Sequence, residues 1–188
     1  MRRLIALTTA AALALGLVGA TAANGDSNRN SFKANLSGYQ EVPAISSTAD
    51  GKVTLSVNPA GTQISYSLTY SALQGGAAVA AHIHFAQTSV SGGVVAFLCG
   101  GGGKPACPAG GGTVSGTIVA GDILAIPAQG IAAGDLAAVL KAMRSGVTYA
   151  NVHSTGFPGG EIRGQIPGHG DNGGHGDKGG HGDQGNDD

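Results

Sequence analysis

The stretch GKVTLSVNPAGTQISYSLTY, residues 51–70, decides the fold class. Its first half sets Val53, Leu55 and Val57 between Lys52, Thr54 and Ser56, and its second sets Ile64, Tyr66, Leu68 and Tyr70 between polar residues. Successive side chains of a strand point to opposite faces, so a period of two marks strands with one buried face. Asn58-Pro59-Ala60-Gly61 parts the two runs with turn-forming residues, and the pair is expected to close as a hairpin.

On either side of the hairpin the same signal recurs in FKANLSG (32–38), VAAHIHF (79–85), GVVAFL (93–98), GTVSGTIV (112–119), VTYANVH (147–153) and GEIRGQI (160–166). Eight short strands joined by Gly- or Pro-rich connections predict an all-β fold, an antiparallel Greek-key-like sandwich or flattened barrel. One segment departs from the pattern. In GDLAAVLKAMRSG (134–146), Leu136, Val139, Leu140 and Met143 fall at helical spacing, Asp135 is placed to cap the start, Lys141 and Arg144 suit the negative end, and Gly146 can close it. This predicts one short helix laid over an end or edge of the strands. Tryptophan is absent and aromatic residues are few, so the core must come from Val, Ile, Leu and Ala.

The two ends of the chain differ from this middle. Residues 1–22 open with Arg2 and Arg3, continue with an apolar run from Leu4 to about Val18, and finish with Ala20-Thr21-Ala22, the pattern of a secretory signal peptide cut after Ala22. The run is shorter than the roughly 20 residues that span a bilayer, so no membrane insertion is expected after cleavage and the mature protein is expected to be secreted, periplasmic or extracellular. Residues 23–30 read as a linker, and residues 31–167 have the size of one domain. From Gly168 the chain repeats H-G-D-x-G-G without an apolar residue, which predicts a disordered tail over 168–188. His169, His175 and His181 in it suit either a solubilising role or weak multivalent capture of Zn, Cu or Ni. With 10 Lys and Arg against 11 Asp and Glu, there is no basic footprint for nucleic acid. Nothing in the sequence names a protein partner.

Cys99 and Cys107 flank the glycine-rich turn CGGGGKPAC, and in an exported protein such a pair reads as a disulfide. The histidines carry the chemistry. In AHIHFA (81–86), His82 and His84 share one strand face and Ile83, the natural core residue, takes the other. The two imidazoles then point outward roughly 6 to 7 Å apart along the strand, a separation one metal ion can bridge. In YANVHS (149–154), Tyr149, Asn151 and His153 share a face opposite Ala150 and Val152. If the two strands are neighbours, three imidazoles converge, a ligand set suited to copper first and zinc as the alternative. Tyr149 and Asn151 would either orient an imidazole or hydrogen-bond across strands. In GGEIRGQI, Glu161, Arg163 and Gln165 are expected on one face and Ile162 and Ile166 on the other. Arg163 is expected to form a bidentate ion pair with Glu41; its alternative roles are to attract an anion or, with Tyr149 and Asn151 behind the histidines, to hydrogen-bond a ligand. No nucleophilic triad stands out.

The blocks LSGYQEVP (36–43), AHIHFA (81–86) and YANVHSTGFPGGEIRGQI (149–166) resemble the successive signature blocks of the CHRD domain, first described as repeats in chordin. The resemblance spans about Phe32 to Ile166 and implies an extracellular, β-rich domain. A looser likeness is to copper-zinc superoxide dismutase. There His82, His84 and His153 would match the copper ligands and Arg163 the arginine that attracts superoxide, but the segment after His-Ile-His supplies no bridging histidine. The expected function is an exported domain binding one transition metal through His82, His84 and His153. A structural or adhesive module without metal and a copper-dependent redox enzyme are the alternatives.

Overall fold

The computed structural model describes residues 30–169. The expected signal peptide (1–22), all but the last residue of the linker and the tail beyond His169, with His175 and His181, lie outside the described residues. Each predicted strand is found within two residues of its expected bounds: β1 (Ser31–Ser37), β2 (Asp50–Val57), β3 (Gln63–Ser71), β4 (Ala78–Phe85), β5 (Gly93–Cys99), β6 (Gly112–Val119), β7 (Thr148–Ser154) and β8 (Ile162–Ile166). The predicted helix is α1 (Leu136–Arg144). Among the described residues no helix is long and apolar enough to cross a membrane.

The β2–β3 hairpin closes as its turn residues require. Asn58 Oδ1 accepts from the amides of Thr62 and Gln63 at 2.8 and 3.1 Å, and Gly61 takes the left-handed conformation, φ 67°, that the turn demands. Register then runs from Val57 opposite Ile64 to Asp50 opposite Ser71. All pairings are antiparallel, in the order β5-β4-β7-β8-β1-β2-β3-β6. The sheet curls until its edge strands β5 and β6 touch, giving a nearly closed barrel. Tyr66 from β3 crosses that seam inside the barrel, its hydroxyl donating to the Leu98 carbonyl of β5 at 2.7 Å. The alternating apolar residues of β1, β2 and β3 point inward and are buried, Val53, Ile64 and Leu68 completely. Helix α1 joins the same core through Leu136, Val139, Leu140 and Met143, and Asp135 Oδ1 caps it by accepting from the Ala138 amide at 2.9 Å.

Strict alternation holds in β1 to β3 and fails in β7 and β8, where both faces are largely buried. The inner face is the core. The outer face is covered by loops, and the polar residues of the expected site lie beneath them.

Candidate metal centre

Strands β4 and β7 are neighbours, with Ala80 opposite His153, His82 opposite Asn151 and His84 opposite Tyr149. Strand β8 extends two of these rows, setting Arg163 beside Asn151 and Gln165 beside Tyr149. The inward residues between them, Ala81, Ile83, Ala150 and Val152, are fully buried in the core. The pleat therefore turns His82, His84 and His153 to the outer face, with ring centroids 4.8 to 6.3 Å apart. One nitrogen from each ring lies within 4.8 Å of one from each of the others, and among the described residues the cluster contains no cysteine, aspartate or glutamate.

The outer face is less open than strand geometry alone suggests. His84 is only 7% exposed, while His82 and His153 are half-buried. The loop after β4 supplies the cover. Arg163 Nη2 donates to the Gln87 carbonyl at 3.1 Å and Gln165 Nε2 to the Ala86 carbonyl at 3.0 Å, which draws this loop down onto β8. Gly92 ends the loop, and a Cβ there would overlap the Phe85 carbonyl, so only glycine permits this approach.

These contacts assign the ring protons. A carbonyl only accepts, so His84 Nδ1–H donates to Gly92 O and His153 Nδ1–H donates to Pro158 O, each at 2.9 Å. In the neutral rings Nε2 then carries the lone pair. His84 Nε2 is buried with no hydrogen-bond partner among the described residues. His153 Nε2 accepts from His82 Nδ1–H at 3.0 Å; Asn151 Oδ1, itself an acceptor, lies 3.1 Å from the same nitrogen and makes no hydrogen bond to it in this tautomer. Burial holds all three imidazoles below their usual range, and His82 is taken down to about 3 because His153 and His84 add to the burial. Neutral imidazole is the form in which histidine ligates metal; His84 and His153 carry their lone pairs on Nε2, and His82 Nδ1 becomes a ligand once its proton moves to the other nitrogen of the same ring.

Tyr149 braces the cluster. Its ring stacks on His84 at 4.6 Å and within 5° of parallel, and the Arg163 guanidinium covers its other face 3.4 Å from the centroid. The Gly92 amide donates to the Tyr149 hydroxyl at 3.3 Å, so the backbone of one residue holds both His84 and Tyr149. Phe97 of β5 meets His82 edge-on at 4.5 Å. Gly92, Gln87, Pro158 and Phe97 carry no spacing signal that would have revealed these roles. Gln165 shares a face with Arg163 as the alternation predicts, but its grip on the loop was not legible.

Three expectations are corrected. The bidentate pair between Glu41 and Arg163 is not formed: among the described residues the one ion pair within 4.0 Å joins Lys104 to Asp122 at 2.9 Å. The Arg163 guanidinium is committed instead to Tyr149 and the Gln87 carbonyl. At 2% exposure Arg163 is also not presented to a passing anion. Glu161 does not share the outer face, because it precedes β8 and its carboxylate accepts from Ser154 Oγ at 2.6 Å on the core side of β7. His169 lies apart from the cluster and packs on Phe32 with ring centroids 4.4 Å apart. The expected disulfide joins Cys99 to Cys107, and no free cysteine remains to offer a thiolate.

The family model of the CHRD domain matches residues 32–166. No curated protein and no solved structure matches the chain.

Proposed function

The chain belongs to the CHRD domain family, and from that premise we propose that it is an exported domain that binds one transition-metal ion through His82, His84 and His153. The observation that carries the proposal is the buried, unpartnered His84 Nε2 beside the two facing nitrogens of His82 and His153. A buried polar atom left unpaired costs roughly 1–3 kcal/mol, and a metal at this point removes that cost. Three neutral imidazoles with no thiolate favour copper over zinc by the ordinary affinity order of divalent ions. Copper held there would supply one-electron chemistry or serve as cargo for storage and delivery. The chain's own residues hold the rings: Gly92 and Pro158 fix which nitrogen carries the proton, and Tyr149 fixes the plane of His84.

The 3.0 Å bond between His82 and His153 favours a second reading, in which the cluster is a structural hydrogen-bonded pair within an adhesive or scaffolding module. Copper titration separates the two. The full chain is expected to bind one equivalent more than the His82→Ala/His84→Ala variant, with nitrogen hyperfine structure in the copper spectrum that the variant lacks. Comparing the two full chains cancels any copper taken by the tail histidines. Equal stoichiometry in two folded proteins would sink the metal reading.

A further inference from the structure

Glu41 lies outside the histidine cluster and is linked to it through the Asn151 side chain, which meets both Glu41 and His153. It follows the 3-10 turn Gly38–Gln40, is 9% exposed, and its Oε1 is buried with no hydrogen-bond partner among the described residues. No described Lys or Arg nitrogen pairs with it within 4.0 Å. Charged residues this buried are normally paired, because the cost of removing the charge from water is otherwise uncompensated. Burial, opposed by the Val42 amide, the Arg163 charge and the Asn151 side chain, raises the Glu41 carboxyl to about 7. The protein around it offsets its charge only in part.

Glu41 also lines a recess of about 190 Å³ between residues 41–45 and residues 156–160. Val42, Pro43 and Pro158 form its exposed rim, Phe157 a half-buried wall, and Glu41 and Gly160 are the buried residues at its inner end. Gly160 keeps that end open. Its φ is 127°, and a Cβ there would overlap Glu41 Oε1. The recess is smaller than the roughly 300–1,000 Å³ of drug-sized sites, with apolar walls and one unsatisfied acidic group at its base. That combination selects a short aliphatic chain ending in a cation. A neutral donor would complete the hydrogen bond but leave the charge, whereas an ammonium completes both through a charge-assisted bond.

We propose that this recess is a binding site for an alkylammonium group, whose cation meets Glu41 and whose methylene chain lies between Pro43 and Phe157. The source of the group is either a free amine or a lysine side chain. The site does not depend on the metal reading.

The test is a nuclear magnetic resonance titration of the isotope-labelled full chain with n-butylammonium, with n-butanol as the uncharged control at matched ionic strength. The expected result is saturable shifts of amides in 41–45 and 156–160 with the amine only, weakened about tenfold or more in folded Glu41→Gln. Titration with Nα-acetyl-lysine methylamide separates the sources: binding equal to that of butylammonium assigns a lysine side chain, and binding of butylammonium alone assigns a free amine. Absence of saturable shifts, equal binding of butanol, or full affinity in Glu41→Gln overturns the proposal. The amine and alcohol comparison on the unaltered chain decides the matter even if the variant does not fold.

Discussion

Glu161 is completely buried, and its carboxylate accepts from the hydroxyls of Ser47 and Ser154 and the amides of Gln74 and Gly75, at 2.6 to 3.1 Å. One side chain thereby ties two loops to the end of β7. Burial alone would raise its pKa, but the combined bonds from Ser154, Gln74, Ser47 and Gly75 outweigh it and hold the group below the usual glutamate range. Glu161→Gln keeps the shape while turning an amide N–H toward donors, and is expected to destabilise the protein by about 2–3 kcal/mol. Urea unfolding at neutral pH measures this, and a change below about 0.5 kcal/mol, the size of an ordinary surface substitution, would contradict it. Alternation had set Glu161 beside Arg163. The rule failed because Gly160, at φ 127°, turns the chain just before it enters the pleat. At His82, His84 and His153 the same rule succeeded, since β4 and β7 pair in unbroken register across all three, although the β4–β5 register slips beside His82 and His84.

At the scale of elements, the local signals were read correctly because each is contained in a few consecutive residues. The cap at Asp135 and the apolar stripe of α1 are set by its own sequence, and so is the Asn58 to Gly61 turn. The disulfide loop belongs to this scale as well. It closes only eight residues of sequence separation, from the fully buried Cys99 at the end of β5 to Cys107. By chain entropy such a loop contributes about 2–3 kcal/mol, so the Cys99→Ala/Cys107→Ala variant is expected to unfold at correspondingly lower denaturant with its barrel intact. An unchanged midpoint would show that the loop is as restricted in the unfolded chain as in the folded one. The loop's contact with the site was not legible. Phe97, which meets His82 edge-on, lies beneath Gly101 and Gly102 of this loop, a juxtaposition that depends on how the loop folds back across β5.

For the whole molecule, the buried titrating groups set how stability responds to acid. His82, His84 and His153 have pKa values below the 6.5 of an unfolded histidine, so between that pH and their folded values the unfolded chain binds more protons and stability falls as pH falls. Glu41 acts in the opposite direction. Raised from 4.5 to about 7, it takes up its proton first in the folded chain, so acidification through that window relieves a cost. His82, taken down to about 3, opposes Glu41 across the whole window, and the lowered His84 and His153 tip the balance to a net loss between pH 6.5 and 4.5. Below 4.5 the Glu41 offset ends and the lowered Glu161 adds a further loss. Chelator-treated protein is therefore expected to lose stability gently from pH 6.5 and more steeply below about 4.5. A flat profile over the upper window, followed by thermal unfolding, would contradict the burial of the histidines. By itself the sequence determined the strands, the helix, the disulfide and the face each histidine takes, because pleat, helical period and turn chemistry act over a few neighbouring residues. Only the tertiary structure decided that β4 and β7 are neighbours, that loops cover the outer face, and that Arg163 turns to Tyr149 and forms no ion pair with Glu41. Those outcomes are contests between partners far apart in the chain, settled by barrel closure and by which buried groups find their hydrogen bonds.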